Sequence, residues 1–165
     1  IIRSKGMQYD TASACMMESN RLLAAYSVDC MFVTVFYAIY NTKTGLVTYS
    51  NAGHNSPHLL RSDGTVEELP RQSDVMLGVF DMIEYKEASM LLEPGDTLVM
   101  FTDGVTEAMN ESKEEFGTKR LSETLEEVAM HNCQQIIDTV KTDIAAFVGE
   151  AEQSDDITLL AIKRV

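Results

Sequence analysis

Phe32-Val33-Thr34-Val35-Phe36-Tyr37-Ala38-Ile39-Tyr40 is apolar, aromatic or β-branched at every position, which is the composition of a central strand covered on both faces. Asn41-Thr42-Lys43-Thr44-Gly45 follows with turn chemistry, and Leu46-Val47-Thr48-Tyr49-Ser50 can return antiparallel, so residues 32–50 are predicted to form a hairpin. Working outward, shorter strands are expected at 57–61 and 65–69, joined through Ser62-Asp63-Gly64. Residues 70–82 read as loop. An alternating stretch at 84–92 then reaches the turn Glu93-Pro94-Gly95-Asp96 and the buried strand Thr97-Leu98-Val99-Met100-Phe101. Residues 157–162 form the last strand.

Helical periodicity flanks these strands. Residues 9–26 read as a helix, with Asp10 or Thr11 as N-cap and a stripe at Ala14, Met17, Leu22 and Tyr26. Residues 118–130 and 133–148 read as two more; the second carries Ile136, Ile137, Val140, Ile144, Phe147 and Val148 along one stripe, with Gly149 placed to stop it. The order helix, mostly antiparallel strands, two helices, strand is an α+β layout in a single domain over residues 1–165. There is no internal repeat, low-complexity tract or linker.

Composition narrows the function classes. The chain has 165 residues with 13 Lys plus Arg against 26 Asp plus Glu, a net charge of −13, and a pI near 4.5. The scattered bases argue against nucleic acid and for cations or cationic partners. No apolar run approaches the roughly 20 residues a membrane span needs. Three cysteines (Cys15, Cys30, Cys133) without C-x-x-C spacing fit a reducing cytosol, so a cytoplasmic location is expected. The chain starts at Ile1 without a signal peptide and reads as cut from a longer polypeptide. The ten methionines read as core filler at positions such as Met17, Met90 and Met100.

Two acidic spots lie at strand ends. Asp103-Gly104 follows strand 97–101 directly, and Asp155-Asp156 precedes strand 157–162. If those strands are antiparallel neighbours, both spots share one edge of the sheet, about 5 Å apart laterally. Converging carboxylates repel unless a hard cation neutralises them, and Mg²⁺ or Mn²⁺ with retained waters is the usual solution. Asp, Ser and Gly are also ordinary turn residues, and spacing alone leaves both readings open. His54 and His58 are four apart, but Pro57 and the strand context deny them the helical face of a zinc pair. Residues 111–115 read as a solvated loop that could help select a protein substrate.

Four ordered blocks add a resemblance. Met31-Phe32-Val33-Thr34-Val35-Phe36-Tyr37, Tyr49-Ser50-Asn51-Ala52-Gly53-His54, the run from Gly95 through Thr102-Asp103-Gly104 to Ala108, and Gln153-Ser154-Asp155-Asp156-Ile157-Thr158-Leu159-Leu160 stand in the order found in one family. From about residue 12 to its end the chain resembles the bacterial PPM-type serine/threonine phosphatases, in the branch of sporulation stage II protein E and the sigma-factor regulatory phosphatases.

The resemblance implies a two-layer antiparallel β-sandwich flanked by helices (α-β-β-α), with a binuclear Mn²⁺ or Mg²⁺ centre at one edge. By position, Asp103 matches the metal-bridging aspartate and Asp155 the aspartate that binds one metal alone. Gly104, Asp156 and His54 are expected to support those ligands. The implied reaction is direct attack of a cation-activated water on the phosphorus of phosphoserine or phosphothreonine, with no covalent phospho-enzyme. The implied substrate is a phosphorylated regulatory protein such as an anti-sigma-factor antagonist, and a sensor is expected upstream in the parent protein. Relatives also carry an Asp-Val-Ser-Gly-Lys-Gly-like block upstream of the first helix, which this sequence lacks. The expectation is therefore a domain without its first strands, holding at most the ligands of one metal site and inactive alone. The alternative reading is a non-catalytic, phosphatase-like binding module in a signalling protein.

Overall fold

A computed structural model describes residues 1–26 and 31–165. Along the chain run α1 (Ile2–Gly6), α2 (Ala12–Tyr26), β1 (Val35–Tyr40), β2 (Leu46–Ala52), β3 (His58–Leu60), β4 (Val66–Glu68), β5 (Ala88–Leu91), β6 (Thr97–Phe101), α3 (Asp103–Thr106), α4 (Gly117–Val128), α5 (Cys133–Val148) and β7 (Leu159–Lys163). They group into two compact units, Ile1–Ser56 with Pro70–Leu91, and Pro57–Leu69 with Leu92–Val165. The α+β layout read from the pattern is the one observed, with two antiparallel sheets and helices.

The first unit holds the sheet β1-β2-β5. The predicted hairpin is present, with Val35 opposite Ala52 and Tyr40 opposite Val47. Its turn is built as the residue types demand. Asn41 Oδ1 accepts from the Lys43 and Thr44 amides at 3.0 and 3.2 Å, and Gly45 takes φ +84° where a side chain would be strained. One correction concerns position in the sheet. β2 is the central strand, and β1 lies at the edge among the described residues. Accordingly β2 is largely buried, whereas Ala38 of β1 is exposed and its neighbours are half-buried. A continuous apolar run signals an extended chain but not how many strands flank it.

α2 begins where expected: Thr11 Oγ1 accepts from the Ala14 amide at 3.2 Å. A second cap was not foreseen, since the Glu87 carboxylate accepts from the Ala12 amide at 2.6 Å. The buried face is another correction. Ala12, Cys15, Met16, Ser19 and Asn20 face inward, while Met17 is 37% and Tyr26 78% exposed. Asn20 explains the shift. Its amide donates to the Phe80 carbonyl at 2.7 Å and accepts from the Gly78 amide at 2.9 Å, so a polar residue is buried because it ties down the loop. The methionine reading also fails, for six of the ten (Met7, Met17, Met31, Met82, Met109 and Met130) are exposed. Cys15 is buried and Cys133 partly so, both as free thiols, and Cys30 lies outside the described residues.

The second unit holds the sheet β4-β3-β6-β7, antiparallel throughout. Leu60, Val99, Phe101, Val105, Leu121, Leu125, Ile136, Val140 and Ile144 form its core with their neighbours. The expected α5 stripe supplies Ile136, Val140 and Ile144, and Gly149 stops the helix at φ +62°. At the other end Asn132 and Gln135 form a reciprocal capping box. Asp96, in the turn before β6, is buried and accepts from the amides of Ser62 and Glu93 and from the Arg61 guanidinium at 2.9–3.0 Å. This part-buried ion pair fixes the entry of β6.

Candidate functional site

At the exit of β6 the ladder to β7 closes with Phe101 opposite Leu159. Thr102 continues it in a modified way. Its amide donates to the Thr158 carbonyl at 3.1 Å, its Oγ1 accepts from the Thr158 amide at 2.9 Å, and the same hydroxyl donates to the Asp156 carbonyl at 2.8 Å. One side chain thus holds both strands of the exit. Sequence reasoning quoted Thr102 within a motif and missed this role; a hydroxyl beside a carboxylate at a strand end was the available signal.

The chain then turns into α3, a single helical turn where only a turn was expected. Val105 anchors it in the core. Gly104 is buried, and a Cβ there would sit 2.6 Å from the Asp156 carbonyl oxygen and 3.0 Å from its carbon. The two acidic segments therefore abut backbone to backbone, and glycine is what permits it. Ser154 Oγ donates to the Glu107 carbonyl at 3.3 Å and adds a second tie between them.

Asp103, Asp155 and Asp156 are all exposed on these abutting segments. Asp103 Oδ1 accepts from the Gly104 amide at 3.0 Å, and Asp155 Oδ1 accepts from the Asp156 amide at 2.7 Å. Each carboxylate is thereby oriented by the next peptide, and a carboxylate that accepts one hydrogen bond retains capacity for a cation. Among the described residues no group of three or more His, Cys, Asp or Glu side chains is arranged to hold a metal. Two oxygen ligands of like charge fit in kind a hard divalent cation that keeps most of its waters, as Mg²⁺ commonly does.

His54 belongs to the other unit. Its amide donates to Asn51 Oδ1 at 2.8 Å, its carbonyl accepts from Asn51 Nδ2 at 3.0 Å, and its Nδ1 lies 3.3 Å from Thr34 Oγ1. Gly53 takes φ +70° in the same turn, with the Asp74 carbonyl oxygen 3.2 Å from where a Cβ would be. The Asn-Ala-Gly-His block is thus a locally knotted strand end. His58 is buried on β3, with Nε2 3.0 Å from Ser122 Oγ. Residues 111–115 form an exposed turn tied by Asn110 Oδ1, which accepts from the Ser112 and Glu114 amides at 2.9 Å.

Comparison with known proteins identifies the family and the fold. The model of the family described as stage II sporulation protein E (SpoIIE) matches residues 3–165. Protein IcfG of Synechocystis is 33% identical over 153 residues, covering 92% of this chain and 24% of that protein. The phosphoserine phosphatase RsbU of Bacillus subtilis is 30% identical over 155 residues, covering 92% of this chain and 45% of its own length. The chain therefore spans less than half of these relatives. Among solved structures, the SiaA PP2C domain of Pseudomonas aeruginosa superimposes with a TM-score of 0.85 at 21% identity, covering 98% of this chain and 65% of that one. The PP2C phosphatase domain of Bacillus subtilis SpoIIE, solved with a fragment of its regulatory domain, gives 0.78 at 15% identity over 98% and 47%. The fold is that of the PP2C phosphatase domains, and the match over nearly every residue makes this chain a member of the stage II sporulation protein E family.

Proposed function

We propose that this chain forms part of a Mn²⁺- or Mg²⁺-dependent phosphatase that hydrolyses phosphoserine or phosphothreonine on a bacterial regulatory protein of the anti-sigma-factor-antagonist kind. The observation that carries the reading is the abutment of the Asp103-Gly104 and Asp155-Asp156 segments at the common end of β6 and β7. The activity in the name of the relative RsbU points the same way.

In this reading Asp103 and Asp155 hold the cation, and the amides of Gly104 and Asp156 orient their carboxylates. Gly104 keeps the segments in contact, and Thr102 keeps them in register. Asp156 supports the site through its backbone, by its amide to Asp155 and its carbonyl to Thr102. His54 holds its own turn through Asn51. A bound divalent cation lowers the pKa of coordinated water and balances charge on the transferring phosphoryl group. A second reading, a phosphatase-like binding module, draws on the small donor set, since two carboxylates alone hold Mg²⁺ weakly.

The test is Mn²⁺-dependent hydrolysis of a phosphoserine protein by the protein at its natural length, beside Asp103→Asn and Asp155→Asn. The phosphatase reading expects each variant to lose about 100-fold or more in rate, the scale of a removed transition-state contact. Equal rates in wild type and both variants would eliminate the proposed ligands. No turnover in any of them, with retained binding of the phosphoprotein, would favour the binding module.

A further inference from the structure

Beside the carboxylate-bearing rim lies a cleft of about 440 Å³, within the range of ligand sites. Its walls are Gly104 of α3 and the residues after that helix, the C-terminal half of α5, and the segment leading to β7. Ala108, Met109, Ile144, Val148 and Ile157 give it an aliphatic lining, with Met109 the adaptable member. Gly104 and Ser154 also line it, and each is the chain neighbour of a carboxylate assigned above to the cation. The cleft and the rim are thus continuous.

Charge indicates what would enter. Of the 26 acidic and 13 basic residues of the chain, 19 and 7 fall in Pro57–Leu69 and Leu92–Val165, so this unit carries −12 of the total −13. The other unit, with 7 acidic and 6 basic residues, is nearly neutral. Around the cleft Glu107, Glu111, Glu150 and Glu152 join Asp155 and Asp156 on the exposed surface, against Lys141. A phosphorylated partner approaching this surface is repelled unless bases flank its phosphate, whereas a basic segment is drawn in and held in register.

We propose that the cleft seats an aliphatic side chain from the basic segment flanking the phosphorylated residue of the protein substrate. The inference rests on the phosphatase reading and adds what that reading lacks, a rule for the substrate's sequence. Because Gly104 and Ser154 belong to both the cleft lining and the rim, the seated side chain belongs to a residue near the phosphoserine along an extended chain.

Fluorescence anisotropy in Mn²⁺ tests it with labelled peptides carrying phosphonomethylalanine, a non-hydrolysable stand-in for phosphoserine. One peptide has a leucine three residues from the phosphonate with lysines between; a second has glycine for the leucine; a third has glutamates for the lysines. The leucine–lysine peptide is expected to bind about tenfold or more tighter than either of the others. Ala145→Trp, which fills the cleft from an exposed position on α5, should abolish the leucine–glycine difference while leaving p-nitrophenyl phosphate hydrolysis unchanged. Glu152→Lys should weaken the lysine peptide and Lys141→Glu should tighten it, and this pair decides the matter if the tryptophan variant does not fold. Equal affinity of the leucine and glycine peptides, or charge reversals that fail to act in opposite directions, would overturn the proposal. Peptide selectivity without Mn²⁺-dependent p-nitrophenyl phosphate hydrolysis would remove the phosphatase reading and leave the cleft's role standing. Hydrolysis that requires Asp103, without selectivity, would do the reverse.

Discussion

Gly104→Ala is the sharpest probe of the rim, because two effects of opposite sign meet at one methyl group. Gly104 sits in a helical turn, where alanine is ordinarily favoured over glycine by about 0.5–1 kcal/mol. Against this, the new Cβ would lie 2.6 Å from the Asp156 carbonyl oxygen, 3.0 Å from the Asp156 carbon and 3.3 Å from the Asp155 carbon. Ordinary contact is 3.4 Å or more, so the segment must retreat by about 0.8 Å. These are backbone atoms, and the Thr102 hydroxyl and the β7 ladder tether them. Overpacking against such neighbours costs about 1–3 kcal/mol, which outweighs the helical gain. Urea denaturation should show a net loss of about 1–2 kcal/mol, with Mn²⁺ affinity by calorimetry falling in parallel. A variant as stable as wild type, or more so, would refute the abutment of the two acidic segments and the site built on it.

Three further outcomes follow from other parts of the structure. Asn20→Ala leaves the Gly78 amide and the Phe80 carbonyl without their described partner, and denaturation should register a loss of about 2–4 kcal/mol. Asn132→Ala removes the capping box of α5 and should lower stability by about 1 kcal/mol without altering Mn²⁺ binding. Tyr85, 1% exposed, has its phenol pushed up to about 12 by burial. The folded state holds this proton more tightly than the unfolded chain, whose phenol titrates near 10. The stability Tyr85 contributes is therefore complete below pH 10 and is lost as pH rises towards 12. Tyr85→Phe forgoes the hydrogen bond to the Met76 carbonyl but should gain on wild type by about 2 kcal/mol between pH 8 and 11.5; parallel pH profiles of the two proteins would contradict the burial argument.

Element types and order were legible in the sequence because each rests on local chemistry. The period of α5, the turn at Asn41–Gly45 after β1, the Asp-Gly turn between β3 and β4, and the buried run of β6 all appear where expected. The shared end of β6 and β7 was expected only on the condition that the two strands pair antiparallel, and the structure supplies that pairing. What lay beyond the sequence depended on partners distant along the chain. An apolar run reads the same at the edge of a sheet as at its centre, so the place of β1 was misjudged. Asn20 looks like a surface residue until the 78–81 loop arrives to satisfy it. Helix α2 likewise waits for Glu87, 75 residues away, to complete its N-terminus. The Thr102 hydroxyl and the bare backbone of Gly104 gain their meaning only when Asp156 stands against them, because hydrogen bonds and steric contacts belong to pairs of residues and folding alone chooses the pairs.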